Sequence, residues 1–169
     1  MKKIAIFYGS DSGNTEAAAQ AIGKEFNDID VQLINIAHTR DVQLLEDYDF
    51  LILGTSTWGY GDLQEDWERF MPNLKKANLQ GKTIALFGLG DSGAYPDTFV
   101  DALAELYEVV TQCGATVIGQ VAVDNYQFDS SRAVIDGLFV GLALDEDNES
   151  DLTQQRISDW VAKLKPLIS

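Results

Sequence analysis

Gly9, Ser10, Asp11, Ser12, Gly13, Asn14, Thr15 and Glu16 form a hydroxyl-rich run bracketed by glycines. The run follows the apolar stretch Ile4 to Tyr8 and precedes a helix-compatible stretch, Ala17 to Phe26, so its backbone amides fall at a helix N-terminus. Such a place attracts phosphate, because unpaired N–H groups and the helix dipole both favour negative charge. The lysine and hydroxyl that end the nucleotide-hydrolase pattern GxxxxGK-Ser/Thr are missing. Asn14 stands where a cation could sit, and Asp11 and Glu16 lie close by. A phosphate here is held by neutral amide and hydroxyl donors, which favours a resident monophosphate over ATP or GTP chemistry.

Two further segments have the same character. One reads Gly54, Thr55, Ser56, Thr57, Trp58, Gly59, Tyr60, Gly61, Asp62, and the other Gly88, Leu89, Gly90, Asp91, Ser92, Gly93, Ala94, Tyr95, Pro96, Asp97. Each sets an aromatic among glycines and small polar residues, so backbone can approach a ligand while a ring covers a flat face. Trp58 and Tyr95 then bracket a planar ring system. A phosphate loop with two aromatic walls describes a flat heterocycle on a phosphorylated tail, such as flavin mononucleotide (FMN).

These loops need a scaffold that delivers them to one edge. Apolar runs suited to strands occur at Lys3 to Tyr8, Val31 to Ile34, Phe50 to Gly54, Lys82 to Gly88, Thr116 to Ile118 and Phe139 to Leu144. The first, third and fourth are nearly continuous hydrophobics, as strands read when helices cover both sheet faces. Between them Phe99, Ala102, Leu103, Leu106, Val110 and Cys113 repeat at helical spacing, as do Ile157, Trp160, Val161 and Leu164. The last helix is expected to start at Thr153, with Leu152 and Ile157 as a hydrophobic staple, and to end by Pro166. The alternation implies a doubly wound α/β fold, in which ligands bind beyond the carboxyl ends of the strands. Between Gly119 and Phe139 about twenty residues show no period, among them Tyr126, Phe128, Asp129, Ser130, Ser131 and Arg132. They read either as a surface excursion packed down by Tyr126 and Phe128 or as a partner-docking surface.

The chain has 169 residues, 46% of them hydrophobic, which suits one domain, and a formal charge of −15. That charge argues against nucleic acid and anionic membrane as partners and favours basic protein surfaces. The single cysteine, Cys113, excludes an internal disulfide framework and a cysteine-cluster metal site. The apolar run after Met1, Lys2 and Lys3 is too short for a secretory signal, and no run approaches a membrane span. A cytoplasmic protein is expected.

With these residues in view, the sequence resembles the flavodoxins, specifically the long-chain ones, along its whole length. The resemblance rests on Ser10 to Glu16, on Thr57, Trp58, Gly59, on Gly88 to Tyr95, on the insertion and on Phe139 to Asp147. It implies a five-stranded parallel sheet of order 2-1-3-4-5, flavodoxins being themselves a standard example of that order. The whole chain, 1–169, would then be one FMN-binding domain, its fifth strand interrupted at about 120–138. The resemblance further implies a low-potential one-electron carrier with non-covalent FMN, shuttling between semiquinone and hydroquinone. No catalytic residue, substrate turnover or metal goes with that role.

By motif, the amides of Asp11, Ser12, Gly13, Asn14 and Thr15 and the hydroxyls of Ser10, Ser12 and Thr15 hold the phosphate, helped by Thr57. Trp58 covers the inner face of the ring and Tyr95 the outer. Backbone around Gly59, Tyr60, Leu89, Gly90 and Asp91 meets its polar edge, with Ser56, Gly61, Thr98 and Phe99 adjacent. Asp147 reads as a ribityl contact or as one charge of an acidic loop, and Asp145 and Glu146 as solvated. Ser56 departs from a frequent proline, and Gly59 stands where larger residues are common. The resemblance implies a monomer whose partners are redox proteins with basic docking surfaces, such as a ferredoxin-type NADP reductase or a low-potential oxidoreductase.

Two other functions are weighed against these residues. An FMN-dependent NAD(P)H quinone reductase shares fold and cofactor but needs a proton donor, and the only histidine, His38, lies in a polar connector expected to face solvent. A signalling receiver domain needs acids after the first and third strands and a lysine after the fourth. Gly9 and Ser10, Gly54 and Thr55, and Gly88 and Leu89 stand there instead.

Overall fold

Every residue of Ile4–Tyr8 and of 50–55 is buried, because helices cover both sides of the strands they form. The structure, a computed structural model, describes residues 3–168. In chain order the elements are β1 (Ile4–Tyr8), α1 (Asn14–Glu25), β2 (Val31–Asn35), α2 (Gln43–Glu46), β3 (Phe50–Trp58), β4 (Asp62–Leu63), α3 (Glu65–Leu74) and β5 (Thr83–Leu89). There follow α4 (Ala102–Gln112), β6 (Thr116–Ile118), β7 (Val121–Ala122), β8 (Val134–Ile135), β9 (Leu138–Phe139), β10 (Leu142–Leu144), α5 (Glu146–Glu149) and α6 (Thr153–Ile168).

The main sheet runs β2, β1, β3, β5 and then a fifth position shared by two short strands. There β6 pairs with Thr83–Ala85, and β10 pairs with Phe87–Leu89 further along the same strand. All of these pairings are parallel. The expected order 2-1-3-4-5 with an interrupted fifth strand is therefore the observed one.

Alternation along each strand divides the core in two. Ala5, Phe7, Leu51, Leu53 and Leu86 pack with Trp67, Phe70 and Leu74 of α3 and Leu103 and Leu106 of α4. Ile4, Ile6, Ile52 and Phe87 pack on the other side with Ala19 and Ile22 of α1 and Ile157, Trp160 and Leu164 of α6. Full burial of such side chains contributes about 1.5–3 kcal/mol each, so these two layers hold the strand ends that carry the loops. No helix among the described residues is long and apolar enough to cross a membrane.

Four expectations need correction. The run Phe139 to Leu144 is not one strand: Phe139 ends β9, Val140 and Gly141 intervene, and only Leu142–Leu144 joins the main sheet. The insertion is not structureless, since β7, β9 and β8 form an antiparallel sheet of three two-residue strands, too short to leave a period in the sequence. β3 does not stop at Gly54 but continues to Trp58, where Thr57 and Trp58 pair antiparallel with Leu63 and Asp62. Finally, α6 does not end by Pro166 but runs through it to Ile168. A proline in the last turn removes only one ladder bond, and burial of Ile168 holds that turn in place.

Tyr126 and Phe128 do pack the insertion down. Their rings lie 4.9 Å and 5.2 Å from that of Phe139, and the Tyr126 hydroxyl donates to the Ala143 carbonyl at 2.8 Å. His38 is exposed, as expected, in a short 3-10 turn. Cys113 is half-buried at the end of α4 and packs against the core.

Candidate functional site

The carboxyl ends of β1, β3 and β5 come together around a cleft of about 330 Å³, within the range of roughly 300–1,000 Å³ usual for small-molecule sites. Its walls are Ser12, Asn14 and Thr15 from the first loop, Ser56 to Gly59 from the second, Leu89 to Asp91 and Tyr95 from the third, and Glu146 and Asp147. Among the described residues lining it there is no lysine, arginine or histidine.

The first loop turns into α1 through Gly13, whose φ of +95° is left-handed and natural only for glycine. Gly13 stands at the N-cap and has no side chain to cap with, and α1 opens on the cleft at Asn14 and Thr15 with the positive pole of its dipole. Ser10 and Asp11, expected as direct contacts, are not on the cleft wall, and their side chains bond within the loop and to Gln64. The Ser10 hydroxyl oxygen accepts from the Gly13 and Glu16 amides at 3.1 and 3.4 Å, and the Asp11 carboxylate accepts from the Gln64 amide at 3.1 Å. Gln64 is fully buried and also caps α3, its carbonyl accepting from Asp66 and Trp67. Sequence reasoning missed Gln64, because a glutamine ahead of an acidic helix carries no signal of its contact 53 residues away.

In the second loop the β3–β4 hairpin turns on Gly59, Tyr60 and Gly61, with φ of +53° at Gly59 and +99° at Gly61. The Trp58 indole N–H donates to the Ser56 hydroxyl at 2.7 Å, which fixes the ring's orientation while leaving the residue 44% exposed. Tyr95 is 40% exposed and lies edge-on to Tyr60 at 6.1 Å. Two large aromatics held half-open at a cleft mouth are surfaces for a flat partner. Tyr60 is almost wholly exposed and Phe99 is in the core, and neither lines the cleft, nor do Gly61 and Thr98.

The third wall is acidic and internally bonded. Asp145, expected to be solvated, is fully buried: it accepts from the Ser92 hydroxyl and amide and from the Asn148 amide groups. Asn148 also donates to Asp91 at 2.8 Å, and the Ala94 amide donates to that same carboxylate. The Ala94 bond holds the Asp91 carboxyl below its ordinary range. Asp147 is pushed the other way, by partial burial and then by the charges of Asp91, Asp145 and Glu146. Glu146, also expected to be solvated, is half-buried on the cleft and accepts from the Thr153 hydroxyl.

The flavodoxin family model matches residues 6–160. Curated relatives include flavodoxins of Picosynechococcus sp., 47% identical over 98% of both chains, and of Helicobacter pylori, 43% identical over 98% of both. Among solved structures, Fusobacterium nucleatum flavodoxin bound to flavin mononucleotide superposes with a TM-score of 0.94 at 31% identity, covering all of each chain. The chain belongs to the flavodoxin family.

In this flavodoxin the likeness runs through the inserted segment, and it brings the three loops to the edge where the doubly wound fold places its ligand. The cleft carries acid on one wall and the start of α1 on another. That arrangement suits a ligand with a small anionic end and an uncharged flat body.

Proposed function

We propose that this flavodoxin binds FMN non-covalently in the cleft and carries single electrons at low potential between redox proteins, with no substrate turnover of its own. The observation that carries the reading is the joining of the α1 N-terminus, at Asn14 and Thr15, and two half-exposed aromatics in one cleft with no lysine, arginine or histidine on its walls. The residues fit the group: hydroxyls of Ser12, Thr15 and Thr57 stand beside the α1 terminus for a phosphate, and the cleft has the volume of a small-ligand site. When bound, the flavin supplies the one-electron chemistry, and the protein tunes it.

Trp58 and Tyr95 hold the ring between them and keep water from its faces. Leu89, Gly90 and Asp91 present backbone to its polar edge, and Asp147 stands toward the ribityl chain. Gly59, on the cleft wall, would offer its backbone carbonyl to the edge of a bound ring, and glycine tolerates the backbone states that such an adjustment would need. Asp91, Glu146 and Asp147, with a chain charge of −15, oppose added negative charge on the ligand and so make the fully reduced carrier a strong donor. The whole chain acts as one FMN-binding domain, a monomer in the cytoplasm. Its partners present basic faces, as a ferredoxin-type NADP reductase or a low-potential oxidoreductase would, in weak and salt-sensitive encounters.

Anaerobic stepwise reduction of the FMN-loaded protein tests this. The expected course is yellow, then blue, then pale, in two one-electron steps. A protein that stays colourless with added FMN, or that steadily consumes NAD(P)H alone, contradicts the reading.

A further inference from the structure

The loop after Tyr95 has a second set of partners, outside the cleft. Its Pro96 carbonyl accepts from the Asp129 amide at 2.8 Å and the Ser130 amide at 3.0 Å. The Asp97 carbonyl accepts from the Ser130 hydroxyl at 2.7 Å, and the Phe99 carbonyl from the Ser131 hydroxyl. The Asp101 carboxylate accepts from the Arg132 amide at 2.8 Å. In all five bonds the donor belongs to 129–132 of the insertion and the acceptor to 96–101. Such one-sided satisfaction of a loop's acceptors is how irregular backbone is fixed in a folded chain.

Two more observations give the contact a direction. Val100, buried and β-branched, has a φ of +50°, a conformation that costs about 1–3 kcal/mol and persists only where neighbours over-determine it. Asp101, 3% exposed, lies beneath the β3–β4 turn: a Cβ placed on Gly61 would come within 2.9 Å of its Oδ2. The next amide, that of Ala102, donates to the Thr57 hydroxyl on the cleft wall at 3.1 Å. The donors themselves are anchored, since the Phe128 ring lies 5.6 Å from that of Phe99 and Ser131 also accepts from the Ala133 amide.

We propose that residues 129–132 are a positioning strap: through 96–101 and Asp101 they set the placement of Tyr95 and of the Gly59–Gly61 turn. The insertion thereby acts on the flavin's surroundings without lining the cleft. Ser131 is its central positioning residue, bonded both to the Phe99 carbonyl and within the insertion. This rests on the FMN reading above and assigns the insertion a role within it.

Ser131→Ala tests the strap, with Ser131→Thr as the variant that keeps the hydroxyl and Ser130→Ala as a second, independent break. FMN affinity and the residual flavin fluorescence at saturation are measured beside urea unfolding of the apoprotein. The expected result for Ser131→Ala is a dissociation constant raised roughly three- to tenfold, the range that one hydrogen bond's net worth covers. Residual fluorescence should also rise, because Tyr95 stacks less closely, and Ser131→Thr should restore both. Ser130→Ala should shift them in the same direction by less. A lowered urea midpoint with wild-type affinity and fluorescence in both alanine variants overturns the strap and leaves the insertion purely structural. Failure of the wild-type protein itself to take up FMN would overturn the cofactor reading instead.

Discussion

Trp58 and Gly59 are adjacent yet have opposite proposed roles, one as a fixed surface and the other as a movable peptide. Trp58→Ala removes a stacking face worth about 1–3 kcal/mol, so FMN should bind roughly five- to 150-fold more weakly in a fluorescence titration. Gly59, at a φ of +53°, can take both peptide orientations without strain, a freedom that alanine lacks. Gly59→Ala should therefore narrow the gap between the two one-electron midpoint potentials in a redox titration, and an unchanged gap would remove Gly59 from the tuning. Tyr126 gives a test by pH. Burial pushes its phenol up to about 12, against a smaller opposing pull from Arg156, whose guanidinium lies 4.0 Å from the ring centroid. The free phenol titrates near 10, so below that value its contribution to stability is complete. As pH rises toward about 12 the unfolded chain ionises first and the contribution is lost. Burial also raises the Tyr8 phenol, so the absorbance titration is compared with that of Tyr126→Phe: the difference should titrate above the ordinary phenol range, and a difference that titrates in the ordinary range would contradict the assignment.

At the level of elements, short segments are held by side chains more than by their own ladders. α5 has four residues, too few for a stable helix alone, and it depends on Asp145, which caps it through the Asn148 amide while bonding Ser92. Asp145→Ala should lower stability by about 1–3 kcal/mol in urea unfolding, because a cap and buried donors lose their acceptor together. In the sequence Asp145 reads as the first of three acids, and only the fold shows that it ends β10 inside the protein. The strands β1, β3 and β5 were legible because continuous hydrophobics have one explanation when both faces are covered. Two-residue strands such as β7 and β8 have no periodicity to read. The strap from 129–132 was invisible for another reason: its bonds join residues about 32 apart, each pairing one side-chain group with a backbone group that every residue carries.

For the molecule as a whole, the loops after the continuous hydrophobic strands were sufficient to choose the edge that bears the cleft, while the strand order came from the resemblance to the flavodoxins. The sequence did not separate residues on the cleft wall, such as Ser12 and Thr15, from those whose side chains bond within the loop or to Gln64, such as Ser10 and Asp11, because all four sit in one hydroxyl-rich run. The charge of −15 governs encounters at a distance. Electron transfer to a basic-faced reductase should slow steeply as ionic strength rises past 0.1 M, where screening sets in at about 10 Å. A rate insensitive to salt would show that charge does not steer docking. The central claim, that the cleft holds FMN by its phosphate as well as its ring, is tested most directly by titrating apoprotein with FMN and with riboflavin. The account predicts one FMN per chain with quenched fluorescence, and riboflavin at least about a hundredfold weaker, since it leaves the α1 terminus without its anion. Equal affinity for the two, or no uptake of either, would contradict it.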